Sequence, residues 1–189
     1  MIDTDENVRR QMHQQVPLVR MQIKSLRNAA RSEYSNIGTN EDFAQIGSAF
    51  TSVMMSGFAL ELGLKVFYMS FYKRRPSGHN LKALYDDLPP FVTEAIAHVI
   101  NFDNLARLEI PIFALKVSEN IPLEPEEAPL KPYGTVEQII ESSSSSFIKS
   151  RYFFEGVSVK DWSFFDVPVL PMLELSTAFD SAYENLAMS

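Results

Sequence analysis

Apolar positions recur at three- and four-residue steps along most of the chain, and β-type alternation is scarce. In the first segment Val8, Met12, Val16, Val19, Ile23, Leu26 and Ala30 fall on one helical face. Pro17 interrupts that run, and it either kinks the helix or opens the first turn of its main part. A second helix is predicted from Thr39 to about Tyr72. The Thr39 hydroxyl can cap the free N–H groups there, and Asp42 adds negative charge near the positive helix end. Apolar residues lie nearly all round this helix, which places it at the centre of a bundle.

The sequence KRRPSG breaks the second helix, because Pro76 restrains the backbone before it and Gly78 permits angles that other residues avoid. Leu81, Leu84, Tyr85 and Leu88 then give a two-turn apolar face, which Pro89 and Pro90 end while starting the next helix. Phe91, Val92, Ala95, Ile96, Val99 and Ile100 continue that helix. Over residues 111–134 five prolines exclude a regular helix or central strand, so an ordered surface excursion is expected, with a short extended piece at IPIFALKV. Thr135 can cap a further helix reaching about Glu155, with Val136, Ile139, Ile140, Phe147 and Ile148 inward. Five serines at 142–146 lie within it; Ser143 falls on the apolar stripe, where a small side chain permits close helix approach and a local break is the alternative. After a polar-aromatic loop around VSVKDWSFFD, the last helix carries Met172, Leu175, Phe179, Ala182 and Leu186 on one face, with Pro168 or Pro171 in its first turn. The expected fold is all-α, an up-and-down antiparallel bundle of about five or six helices in a single domain over residues 1–189 with one proline-rich insertion.

Composition narrows the function classes. With 189 residues, 46% of them hydrophobic, the chain can bury a sizeable core, which excludes a disordered or collagen-like protein. The absence of cysteine excludes a disulfide framework, a thiolate metal site and a cysteine nucleophile. The opening MIDTDENVRR has no apolar signal-peptide core, and a cytoplasmic location is expected. The weakly charged segment 43–72 is broken by polar residues, so it reads as a buried helix and no membrane association is expected. A net charge of −7 argues against a broad nucleic-acid-binding surface and leaves room for a local basic pocket. His13, His79 and His98 lack ligand spacing, so no metal and no cofactor are expected. Neither a phosphate-cradling glycine loop nor a serine-hydrolase elbow is present.

Three sets of polar residues can carry chemistry. Glu61 and Lys65 stand four apart in the buried central helix with the acid first, the favourable order for a pair on one face. They form either an ion pair that fixes helix register or the wall of a polar pocket. Arg151 and Glu155 also stand four apart, beside Tyr152. The arginine fork suits a phosphate or carboxylate, or a plain salt bridge to Glu155 or Glu61. His79 can act as acid, base or hydrogen-bond donor; structurally, His79 or Asn80 can cap the short helix, or the imidazole can bond a carboxylate of the central helix.

In order and separation, ALELGLKVF, GHNLKALYDDLP and SFIKSRYFFEG, followed by a final amphipathic helix, resemble bacterial members of the HEPN superfamily of nucleotide-binding helical domains. The resemblance spans residues 47–186. It implies an up-and-down bundle that often dimerises through its central helices. Some members are metal-independent ribonucleases whose arginine, four to six residues and histidine on one helix form a composite site across a dimer. Others lack that motif and serve as binding or scaffold modules in defence and toxin-antitoxin systems. Here no histidine follows Arg151. Arg74 precedes His79 at the permitted spacing, but with Pro76 and Gly78 between them. The resemblance therefore implies a homodimeric module for a nucleotide or RNA-related ligand, with Glu61, Lys65, Asn80, Tyr152 and Glu155 in a polar or ligand-binding network. The alternatives are an atypical metal-independent ribonuclease using His79 and Arg151, and a scaffold for a protein partner.

Overall fold

The computed structural model describes residues 4–37, 42–72, 76–102, 105, 108–111, 133–152 and 164–188, with side chains at 14–37, 47–72, 76–102, 105, 133–148 and 168–188. The protein is an all-α helical bundle. Helix α1 spans Thr4–Ser35, α2 Asp42–Phe67, α3 Leu81–Asp86, α4 Pro90–Val99, α5 Val136–Tyr152 and α6 Val169–Met188. A π-helical turn, Tyr68–Tyr72, extends α2. Helix α1 runs through Pro17 without ending, so this proline does not open the main part of the helix. The expected cap Thr39 lies outside the described residues.

Side-chain pairings fix the helix directions. Glu33 of α1 accepts from the Ser48 hydroxyl at 3.0 Å, while Val16 and Ile23 of α1 share a cluster with Ala59 and Val66 of α2. These two helices are therefore antiparallel. Phe147 of α5 lies against Phe58, whereas the α5 start, at Glu137, meets Tyr85 of α3 beyond the end of α2. Helix α5 thus runs opposite to α2. Phe179 and Tyr183 of α6 both lie against Phe67, and Arg20 and Arg27 of α1 reach Glu184 and Asp180 respectively. Helix α6 is antiparallel to α1, so the four long helices alternate in direction along the chain.

Helix α2 is central because protein meets it on nearly every side. The segment Gly47–Tyr72 is long and apolar enough to cross a membrane, but 67% of its most apolar stretch is buried inside the bundle. Small residues set how closely its neighbours approach. A Cβ on Gly57 would overlap the Phe147 ring, and one on Gly63 would come 2.7 Å from Phe179 Cδ2. Within α5, Ser143, Ser144 and Ser146 are buried, and the helix continues through the serine run without a break. The serines give up some intrinsic helix propensity, offset by tertiary packing across the small side chains.

The caps follow the local sequence. Asn80 Oδ1 accepts from Ala83 N at 3.0 Å to start α3, Pro90 occupies the first turn of α4, and Thr135 Oγ1 accepts from Gln138 N at 3.3 Å to start α5. Two expectations are corrected. Ile148, expected to face inward on α5, is 42% exposed. Part of the polar-aromatic loop is a strand, β2 (Phe164–Val167), antiparallel to β1 (Leu108–Pro111), with Leu108 opposite Val167 and Pro111 opposite Phe164. Each strand is only four residues long, too short for alternation to stand out in the sequence, and Pro111 is tolerated at the end of an edge strand. Residues 112–132 of the expected excursion lie outside the described residues.

Two outcomes follow from this packing. Gly57→Ala gains helix propensity but drives a methyl into the buried Phe147 ring, which packs edge-to-face on Phe58 at 5.1 Å. Overpacking of this kind costs about 1–3 kcal/mol, so the urea midpoint should fall. Tyr85 donates to Glu137 at 3.2 Å, and burial first, then the neighbouring carboxylate, pushes its phenol pKa well above the ordinary value. Above a pH of about 10 the unfolded tyrosine loses its proton while the folded one keeps it, so stability falls as pH rises. Tyr34, raised by burial, acts in the same direction. Tyr85→Phe should flatten that alkaline loss in urea titrations at pH 8 to 11.

Candidate functional site

The site begins at the C-terminal half of α2. Glu61 is 4% exposed and its Oε1 accepts two hydrogen bonds, from Lys65 Nζ at 2.7 Å and from His79 Nδ1 at 2.8 Å. The other carboxylate oxygen, Oε2, is buried without a hydrogen-bond partner. Lys65 is the expected partner one turn on, and its mostly buried side chain reaches the carboxylate from the same helix. His79 comes from the loop 76–80, and its side chain is 60% exposed. A carboxylate accepts only, so Nδ1 carries a proton and Nε2 is the imidazole nitrogen left to face a ligand.

Several local features deliver His79 to this position. The π-helical turn at the end of α2 winds in one extra residue relative to an α-helix. Within it the Tyr68 and Tyr72 rings stack at 5.3 Å, with the Tyr68 hydroxyl donating to Leu84 O at 2.7 Å and the Tyr72 hydroxyl to Asp87 O at 3.0 Å. These bonds pin α3 against the end of α2. Gly78, at φ +92°, then reverses the chain before His79, in a region that side chains with a Cβ avoid. Asn80 is committed to capping α3, and its Oδ1 also receives the Ser144 hydroxyl at 3.4 Å. The cap joins α3 to α5 next to the histidine.

The structure brings together Glu61, Lys65, His79 and Asn80. Arg151 and Tyr152 are the last two residues of α5, seven and eight positions beyond Ser144, or roughly 10 Å along the helix axis. Their side chains and the whole of Glu155 lie outside the described residues. Residues 76–80 are not helical, so Arg74 and His79 share no helix face. His79 is also not an interior group: it bonds a buried carboxylate from the surface. Among the described residues no three His, Asp or Glu side chains are grouped to hold a metal ion.

One polar network was not anticipated from the sequence. Asp180 of α6 bridges two arginines of α1, Arg20 Nε at 3.3 Å and Arg27 Nη2 at 2.6 Å. Arg20 also reaches Glu184 at 2.6 Å and lies 4.9 Å over the Tyr183 ring. Although burial works against its charge, Glu184 and Asp180 hold the Arg20 pKa above its ordinary value. The spacing was available, since Arg20 and Arg27 are two turns apart and Asp180 and Glu184 one turn apart. Nothing in it says that α1 and α6 are neighbours.

Comparisons with family models, curated proteins and solved structures found no match. The likeness to the HEPN superfamily therefore rests on the sequence motifs.

The geometry predicts a tautomer. In the parent protein ¹⁵N-resolved NMR of neutral His79 should show the proton on Nδ1. Glu61→Leu, which fills similar space without an acceptor, should remove that preference. An unchanged His79 signature would show that the carboxylate does not orient the ring.

Proposed function

We propose that this chain is a HEPN-like helical module, acting as a homodimer, that recognises a nucleotide or RNA-related ligand at the face carrying His79. The observation that supports the reading is the bond between Glu61 and His79. A carboxylate held almost out of water orients an imidazole whose side chain is 60% exposed. Desolvating a carboxylate costs several kcal/mol before compensation. Through Nδ1 the imidazole compensates the buried carboxylate, and the same bond holds its Nε2 side toward solvent, where a ligand can reach it. Neutral, the outward Nε2 accepts from a base or ribose hydroxyl; protonated, it donates to a phosphate. The sequence adds Lys73, Arg74 and Arg75 immediately before the histidine loop, a dense run of positive charge in a chain of net charge −7. A local run of this kind attracts a phosphate-bearing ligand despite the acidic total.

The outward Nε2 also favours a second reading, an atypical metal-independent ribonuclease. His79 would then exchange the proton and Arg151 would stabilise the pentavalent phosphate.

Isothermal titration with nucleoside monophosphates and short single-stranded RNA at low salt tests the first reading. At least one should bind, and His79→Ala should weaken it at least tenfold while the circular dichroism spectrum stays unchanged. Absence of binding by every probe would sink it. The same RNA incubated with chelator tests the second: cleavage should disappear in both His79→Ala and Arg151→Ala, and cleavage by both variants at the parent rate rules those roles out.

A further inference from the structure

We infer that the groove between α1 and α6 is a binding site for a small organic monoanion, a carboxylate on a short apolar chain. The cavity there measures about 440 Å³, within the roughly 300–1,000 Å³ range of small-molecule sites. None of Glu61, Lys65, His79 and Asn80 lines it, so the inference does not depend on the nucleotide reading.

Charge selects the head of the ligand. The cavity is lined by Arg20, Lys24 and Arg27 from α1 and by Asp180 and Glu184 from α6. Asp180 accepts from Arg20 Nε and Arg27 Nη2, and Glu184 accepts from Arg20 Nη2. Two cationic groups retain unused donors: Arg20 Nη1 and Lys24 Nζ have no hydrogen-bond partner among the described residues. They stand four residues apart, on one face of α1. Three cations against two carboxylates leave one positive charge in excess, which a carboxylate neutralises and a phosphate dianion exceeds. A carboxylate also offers two oxygens, one for each donor, in charge-assisted bonds.

The apolar lining selects the body. Val16 and Pro17 lie about two turns before Lys24, with Met21 between, so the cavity is apolar toward one end and cationic toward the other. From Pro17 to Lys24 is roughly 10 Å along the helix axis, room for a chain of several carbons. Met21 is 68% exposed, so a chain laid along it withdraws apolar surface from water. Tyr183 adds a ring on the α6 side, held under Arg20 at 4.9 Å.

Isothermal titration of the full chain with octanoate, acetate, octyl phosphate and octylamine, all below micelle-forming concentrations, provides the test. Octanoate should bind at least about tenfold more tightly than acetate, which lacks the chain, and than octylamine, which carries the opposite charge. Lys24→Gln, at an exposed position, should weaken octanoate about tenfold while the thermal midpoint followed by circular dichroism stays unchanged. Met21→Asp, also exposed, should weaken it as well, through lost apolar contact and added negative charge. Octanoate that fails to bind, or binds no better than acetate, overturns the site. Equal affinity for octanoate and octylamine overturns it too, because an unselective apolar surface would behave that way. Tighter binding of octyl phosphate than of octanoate overturns the choice of a carboxylate. Parental affinity in both variants overturns the placement between α1 and α6.

Discussion

A carboxylate held at 4% exposure on the central helix is the constraint around which this end of the bundle is arranged. Left alone, Glu61 would carry a desolvation cost of several kcal/mol, so the fold has to bring donors to it. Lys65 can come from the same helix because four residues make roughly one turn. The second donor has to come from elsewhere in the chain. The break at Pro76 and Gly78 lets the loop bring His79 back to the C-terminal half of α2. Oε1 receives both donors while Oε2 receives none, so the compensation is lopsided. A buried charge compensated in this way adds little net stability.

The rest of the bundle makes that arrangement rigid. Phe147 seats in the space left by Gly57, and Ser143, Ser144 and Ser146 of the same helix are buried. Interiors packed to this density transmit small displacements, so the distance from α2 to α5 also fixes Ser144 against the cap residue Asn80. On the opposite side, Asp180 and its two arginines hold α1 to α6. Partly buried charges linked in a network count for more than isolated surface pairs. The core and the site are therefore continuous: the contacts that place the helices also place the histidine.

The sequence reading succeeded where physics is local. Periodicity located the six helices found among the described residues, Thr135 caps α5, and the two prolines at 89 and 90 separate α3 from α4. The pairing of Glu61 with Lys65 followed from helical spacing, and a bond from His79 to a central-helix carboxylate was one of the options the residues left open. The strand Phe164–Val167 and the π-helical turn Tyr68–Tyr72 were not legible. A four-residue strand becomes one only through its partner more than fifty residues away. A π-helical turn differs from an α-helix by one residue of winding, which leaves no mark on composition.

By itself the sequence determined the fold class, the central place of α2, the Thr135 cap of α5 and the presence of a carboxylate that needs compensation, because these follow from residue type and spacing along the chain. Tertiary structure decided which oxygen of Glu61 is used, that His79 and not a buried partner completes it, and that Asn80 rather than His79 caps α3. It also decided that Arg20 and Arg27 meet Asp180 across two helices. These are matters of which surfaces face each other, and a one-dimensional pattern specifies a helix face without naming what lies opposite.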